Sequence, residues 1–164
     1  MSLIFFFLAQ FAILAFASVG GVFLAFSDFI MRSLSRTGGT GGVEAMQVIN
    51  REVFRWVFMA LFLGMSAVSV VIAGYGAMAL DGPAGTLIVL SGLVYLVGCF
   101  GVTIVFNVPM NEKLAGMDSS AIATRNYWTS TYLPRWTFWN TVRAIACVLS
   151  AALLLCALSW MTQS

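Results

Sequence analysis

Residues 1–27 read MSLIFFFLAQFAILAFASVGGVFLAFS, without one charged side chain, and the first charge, Asp28, follows at once. The run is long enough to cross a bilayer, whose hydrocarbon core takes about 20 apolar residues. Outward from it the same property recurs, with charge-free stretches at 56–80, 82–111 and 144–164. The eight Lys and Arg residues fall in two segments, Arg32, Arg36, Arg51 and Arg55 in one, Lys113, Arg125, Arg135 and Arg143 in the other. With 61% hydrophobic and 9% charged residues and a mean hydropathy of +0.98, the chain lies far outside the soluble range of roughly 45–50% apolar and 25% charged. The fold read from this pattern is all-α, an integral membrane four-helix bundle. It forms a single domain over 1–164, with spans near 3–27, 56–80, 85–106 and 137–161. Short cytoplasmic helices are expected between spans one and two and between spans three and four.

Cytoplasmic loops carry the Lys/Arg excess. The linkers after spans one and three hold all of it, and the linker Asp81-Gly82-Pro83-Ala84-Gly85 holds none. Both termini are therefore expected outside the cytoplasm, in a bacterial inner (plasma) membrane. Ala15-Phe16-Ala17 resembles a signal cleavage site, but no basic residue precedes the apolar run and the run continues to Phe26, so an uncleaved first helix is expected. Trp56, Trp128, Trp136 and Trp139, with Tyr127 and Tyr132, read mainly as an aromatic belt at the cytoplasmic interface, and Trp160 and Tyr75 as its outer counterpart. One or two of the former are left to line a pocket. Ala17 and Gly21 in span one, and Gly64, Ser66, Ala67, Ser69, Ala73 and Gly74 in span two, let helices approach closely. Nucleic acid is not an expected partner, because its recognition needs a basic face in water.

Three polar segments punctuate the cytoplasmic side. The first, Glu44 to Arg51, follows a glycine hinge (Arg36 to Gly42) and places Gln47 and Asn50 on one helix face. The second, Asn107-Val108-Pro109-Met110-Asn111-Glu112-Lys113, contains a proline expected to break or kink the helix. In the third, Trp136 to Arg143, which includes Trp139, the residues Trp136, Asn140 and Arg143 are spaced i, i+4, i+7, so they share a face. An Arg within a span faces the bundle interior and needs a partner, and Asp28 at the end of span one is the candidate. The chain has no histidine, which excludes His-based triads and most haem, copper and non-haem iron ligation. Cys99, Cys147 and Cys156 lie inside the spans without a CxxC pattern and read as small apolar residues. No metal site and no cofactor is expected. Proton transfer would fall to Asp28, Glu44, Glu52 or Glu112.

The order Met46-Gln47-x-Ile49-Asn50, then Asn107-Val108-Pro109-x-Asn111-x-x-Leu114, then Trp139-Asn140-x-x-Arg143 resembles the small membrane-protein family that includes anthrone oxygenases. The stretch Phe23 to Phe29 fits that family's first span. The resemblance implies a four-helix membrane bundle and, for some members, O2-dependent oxidation of an anthrone to a quinone without an obvious cofactor. One departure is Thr141, where relatives carry His. Two functions follow as expectations. One is an oxygenase-like enzyme on an apolar aromatic ligand entering from the lipid bilayer, with Arg143, Asn140, Asn111 and Asp28 catalytic and Asn50, Gln47, Asn107, Trp136 and Trp139 around the substrate. The other is a non-enzymatic subunit or assembly factor of a larger membrane complex, or a homo-oligomer.

Overall fold

A computed structural model describes residues 2–163, and the Trp56 side chain, one of the expected belt residues, lies outside what it describes. Helix α1 spans Leu3–Ser35, α2 Gly41–Glu52, α3 Trp56–Ala79, α4 Gly82–Ala115 and α5 Ile122–Thr162. Four of these, all but α2, are long and apolar enough to cross a membrane. At 1.5 Å per residue, α1, α4 and α5 are about 50–60 Å long, well beyond a hydrocarbon core of about 30 Å. Their excess projects at the end that carries the basic residues, where α2 packs across it.

The turns from α3 to α4 and from α4 to α5 are short, so those neighbouring spans run antiparallel. Gly82, at φ +78°, turns the chain between α3 and α4, and Pro83 in the first turn pre-sets the helical φ of α4. The start of α1 lies beside the end of α3: the Ser2 backbone N–H donates to the Tyr75 hydroxyl at 3.0 Å, and the Phe5 and Tyr75 rings stack at 3.8 Å. Around the bundle α1 packs on α5, α5 on α4 and α4 on α3, and the circle closes through a much lighter contact between α1 and α3. At the basic end the glycine hinge turns at Gly39, φ +60°. The Glu44 carboxylate accepts from the hydroxyls of Thr40 (2.6 Å) and Ser119 (3.0 Å), which ties α2 to the α4–α5 turn and holds its pKa below the ordinary glutamate value.

Two expectations from the sequence are corrected. Pro109 does not break α4. A helical proline lacks an N–H and clashes with the carbonyl four residues back. A π-helical segment, Thr103–Asn107, directly precedes Val108–Ala115, so Pro109 falls in the first turn of a regular stretch and the helix continues. Pro134 follows the π-helical segment Trp128–Tyr132 in α5 in the same way. The residues between spans three and four thus extend α4 and α5, and only Gly116–Ala121 forms the turn. The second correction concerns the belt: Trp128, Tyr132 and Trp136 are buried at 6%, 0% and 4% exposure, inside the projecting end.

The apolar core falls into two clusters. The larger, within the spans, includes Phe16, Phe62, Met65, Ile72, Tyr95 and Leu154. The smaller, at the basic end, joins Met31, Val43, Met46, Leu114, Trp128, Tyr132 and Trp136. Between them lies a layer of buried polar side chains: Thr103, Asn107, Asn140 and Arg143.

Close helix approach relies on glycines other than those the sequence pattern suggested. Gly21 and Gly64 face open space, whereas a Cβ on Gly92 would lie 2.5 Å from the Ser69 carbonyl oxygen and one on Gly98 2.8 Å from the Ala146 Cβ. Gly92→Ala is expected to force α3 and α4 apart and to destabilise by about 1–3 kcal/mol, the usual cost of overpacking. Gly64→Ala should be neutral or stabilising by up to about 1 kcal/mol, since only backbone entropy changes. Unfolding titrations in mixed micelles measure both.

Candidate functional site

The polar layer is built where α1 changes its winding. Residues Phe26–Ile30 form a π-helical turn, and such turns shift the backbone partners of the preceding carbonyls. The Phe23 carbonyl accepts a hydrogen bond from Asn140 Nδ2 of α5 at 2.6 Å, and Ser27 Oγ lies 2.7 Å from the same amide. The Asn140 Oδ1 in turn accepts from Arg143 Nη2 at 2.6 Å. Arg143 Nη1 donates to Thr103 Oγ1 of α4 at 3.3 Å, so the guanidinium joins α5 to α4 and, through Asn140, to α1. Arg143 is 5% exposed, its Cζ lies 4.1 Å from the Phe23 ring centroid and 5.3 Å from that of Trp136, and its Nε is without a hydrogen-bond partner. Among the described residues no carboxylate lies within ion-pair distance of it. The negative faces of two aromatic rings and two neutral oxygens are what this cation has instead.

One turn toward the basic end, a second group centres on Asn111 of α4. Its Oδ1 accepts from the Tyr132 hydroxyl at 2.8 Å and from Trp136 Nε1 at 2.7 Å. An indole N–H can only donate, so the atom it faces is the amide oxygen and the Asn111 amide NH2 is directed elsewhere, with no hydrogen bond among the described residues. Asn50 Nδ2 of α2 donates to the same Tyr132 hydroxyl at 3.3 Å. Trp128, Tyr132 and Trp136 stack along one face of α5 with centroid distances of 5.3 and 6.1 Å, which fixes the rings that hold Asn111.

These two groups wall one end of a cavity of about 680 Å³ to which all five helices contribute. Its other walls are apolar, with Phe23, Phe26, Phe58, Phe62, Met46 and Met59 prominent. Asn50, Asn111, Asn140 and Arg143 all line it, as do Trp136, Thr103 and Glu112. A large apolar cavity with a few convergent polar groups is the usual form of a small-molecule site.

The remaining expected site residues lie elsewhere. Asp28 is exposed and is neither a partner of Arg143 nor a cavity residue. Ser27 holds the inward position, and Asp28, the next residue on the helix, is turned out to the surface. Gln47 donates to the Leu114 and Met117 carbonyls at 2.8 and 2.9 Å, which anchors α2 to the end of α4. Asn107, fully buried, donates to the Trp136 carbonyl at 3.3 Å and leaves its Oδ1 unpaired, outside the cavity lining. Trp139 stacks on Phe106 at 3.7 Å on the far side of α5. Thr141 also lies outside the cavity, with Oγ1 2.9 Å from both Ser27 Oγ and the Thr137 carbonyl oxygen. Tyr132, Ser27 and Thr103, not singled out from the sequence as site residues, complete these polar groups. Tyr132 was legible, since Tyr132, Trp136 and Asn140 recur every four residues; nothing in the sequence marks the other two.

The sequence profile described as anthrone oxygenase matches residues 51–153. The match takes in Asn111, Trp136, Asn140 and Arg143 and excludes α1 and most of α2. No curated protein and no solved structure matches the chain.

Asn111 is the position where removal is most diagnostic. Asn111→Ala leaves the Tyr132 hydroxyl and the Trp136 N–H without their acceptor, at about 1–3 kcal/mol for each group orphaned. The midpoint of unfolding should fall accordingly, and the near-ultraviolet circular dichroism of the stacked rings should weaken while helix content stays constant.

Proposed function

The chain belongs to the anthrone oxygenase family, and from that premise we propose that this integral membrane protein is an oxygenase acting on an apolar aromatic ketone with an acidic methylene, bound in this cavity. The observation that carries the reading is Arg143. A desolvated cation without a counter-charge costs several kcal/mol unless something compensates it. Deprotonation of the methylene creates an enolate oxygen, and a guanidinium held by Asn140 and Thr103 is already oriented toward the cavity where that charge would develop. Preorganised donors aimed at developing charge are the largest catalytic lever available to a site of this kind. The unengaged Asn111 amide NH2 supplies a further donor.

Of the carboxylates considered for proton transfer, Glu112 lines the cavity and Asp28, Glu44 and Glu52 do not. Glu112 is accordingly the acceptor of the methylene proton in this reading. The enolate then reduces O2: one oxygen atom becomes the new ring carbonyl and the other leaves as water, with both methylene hydrogens. Thr141 faces Ser27 outside the cavity and leaves these donors in place.

A second reading, a subunit or homo-oligomer, is favoured by one observation: Ala17 and Gly21 on α1, and Gly64 and Ala67 on α3, are exposed on the outer surface. Stoichiometric co-purification of another membrane protein in mild detergent supports that role and opposes the enzyme. For orientation, the basic end belongs in the cytoplasm of a bacterial inner membrane. A C-terminal alkaline phosphatase fusion is then expected to be active, and a C-terminal reporter that works only in the cytoplasm reverses the topology.

The enzyme reading is tested with purified protein and an anthrone. O2 consumption is expected, and Arg143→Lys should lose most of it, since a point charge does not replace the planar fork. Glu112→Gln should lower turnover with little change in KM. Unchanged turnover in Arg143→Lys removes Arg143 from the mechanism.

A further inference from the structure

A second recess, sharing no residue with the first, lies in the seam between α4 and α5 on the outside of the bundle. Its volume is about 310 Å³. Each helix contributes one face to it. From α4 come Phe106 and, seven residues on, Lys113; from α5 come Tyr127, Thr131, Arg135 and Trp139, each four residues after the last. The floor is the stacked Phe106–Trp139 pair, interplanar angle 4°. The rim toward the basic end holds two cations. Lys113 Nζ sits 4.4 Å from the Tyr127 ring centroid. Arg135 is exposed, and among the described residues neither cation has a carboxylate within ion-pair distance. No Asp or Glu lines the recess.

The level of the recess identifies what it faces. Phe138 and Val105, 59% and 61% exposed, flank the floor and present apolar surface outward, as lipid-facing side chains do. Arg135 lies one helical turn beyond Trp139, about 6 Å along the axis, and Lys113 about 10 Å beyond Phe106. The headgroup zone of a bilayer adds about 5–8 Å on each side of the hydrocarbon core. The aromatic floor therefore falls at acyl-chain level and the two cations at phosphate level. Two cations without a counter-ion, above an apolar floor at that depth, complement a phosphodiester with a chain attached.

We propose that this seam binds an anionic phospholipid, its phosphate held between Lys113 and Arg135 and an acyl chain laid along Phe106 and Trp139. The Thr131 hydroxyl offers a further donor to the phosphate. The occupant belongs to the membrane, because a free phosphate would use the rim and leave the aromatic floor uncovered. The site shares α5 with the Arg143 cluster, so lipid bound there braces the helix that presents Trp136, Asn140 and Arg143 on its other face.

Native mass spectrometry of the intact protein from micelles with equal phosphatidylglycerol and phosphatidylcholine tests it. The wild type is expected to retain phosphatidylglycerol over phosphatidylcholine by about tenfold, in line with the attraction of surface Lys and Arg to anionic lipid. Lys113→Gln/Arg135→Gln should retain the two equally, while Arg125→Gln, a basic change outside the recess, keeps the preference. Equal retention by the wild type overturns the proposal and needs no variant to fold. So does loss of preference in Arg125→Gln to the same extent, which would show a diffuse charge effect. Displacement of the lipid by millimolar inorganic phosphate would show a soluble-anion site, and that too overturns it.

Discussion

The whole basic half of this bundle is arranged around one guanidinium buried without a carboxylate. Arg143 is held by an amide oxygen, a hydroxyl and two aromatic faces drawn from three helices. Neutral acceptors repay less of the desolvation cost than a carboxylate would, and one nitrogen, Nε, is unpaired. The cation is thus left unneutralised, at a cost in stability.

Holding such a group requires backbone that ordinary helices do not offer. Within an α-helix every interior carbonyl is already engaged, and lipid supplies no donors or acceptors. π-helical turns in α1 and α4 lie on either side of the polar layer, and the Phe23 carbonyl, which takes the Phe26 N–H, also accepts from Asn140. The turn in α4 also lets Pro109 be tolerated two residues past its end. The same local distortion therefore serves both continuity of the helix and polarity of the site. Another π-helical turn, Trp128–Tyr132, precedes Pro134 and bears the Tyr132 hydroxyl on which Asn50 and Asn111 converge.

The sequence made the spans legible because length and absence of charge are properties of a segment alone. It also made Trp136, Asn140 and Arg143 legible as one face, because that spacing lies within one helix. What it did not carry was the rotation of one helix against another. α1 is apolar all round over Leu3–Ala25, and a helix without a polar face gives no phase to read. Depth alone therefore points to Asp28 as the partner of Arg143, whereas Ser27 is the residue that faces α5. Thr103 is one hydroxyl in an apolar run, and threonines in spans bond their own backbone as readily as a neighbour; Thr103 Oγ1 does so to the Cys99 carbonyl while accepting from Arg143.

Phase also explains why Trp136 and Trp139, grouped together on sequence proximity, separate in the structure. On α5 the residues 128, 132, 136 and 140 turn inward, and the set 127, 131, 135 and 139, offset by one position, turns to the seam with α4. One residue of offset is about 100° of rotation, so the two four-residue ladders occupy different walls of one helix. The inner ladder ends in the amide that orients Arg143; the outer one carries Arg135 at the rim of the lipid-facing recess. Any shift of α5 about its own axis must move both ladders together. The winding of α5, set by Pro134 and the π-helical turn before it, thus fixes the position of Asn140 and Arg143 in the cavity and of Arg135 at the outer rim at once.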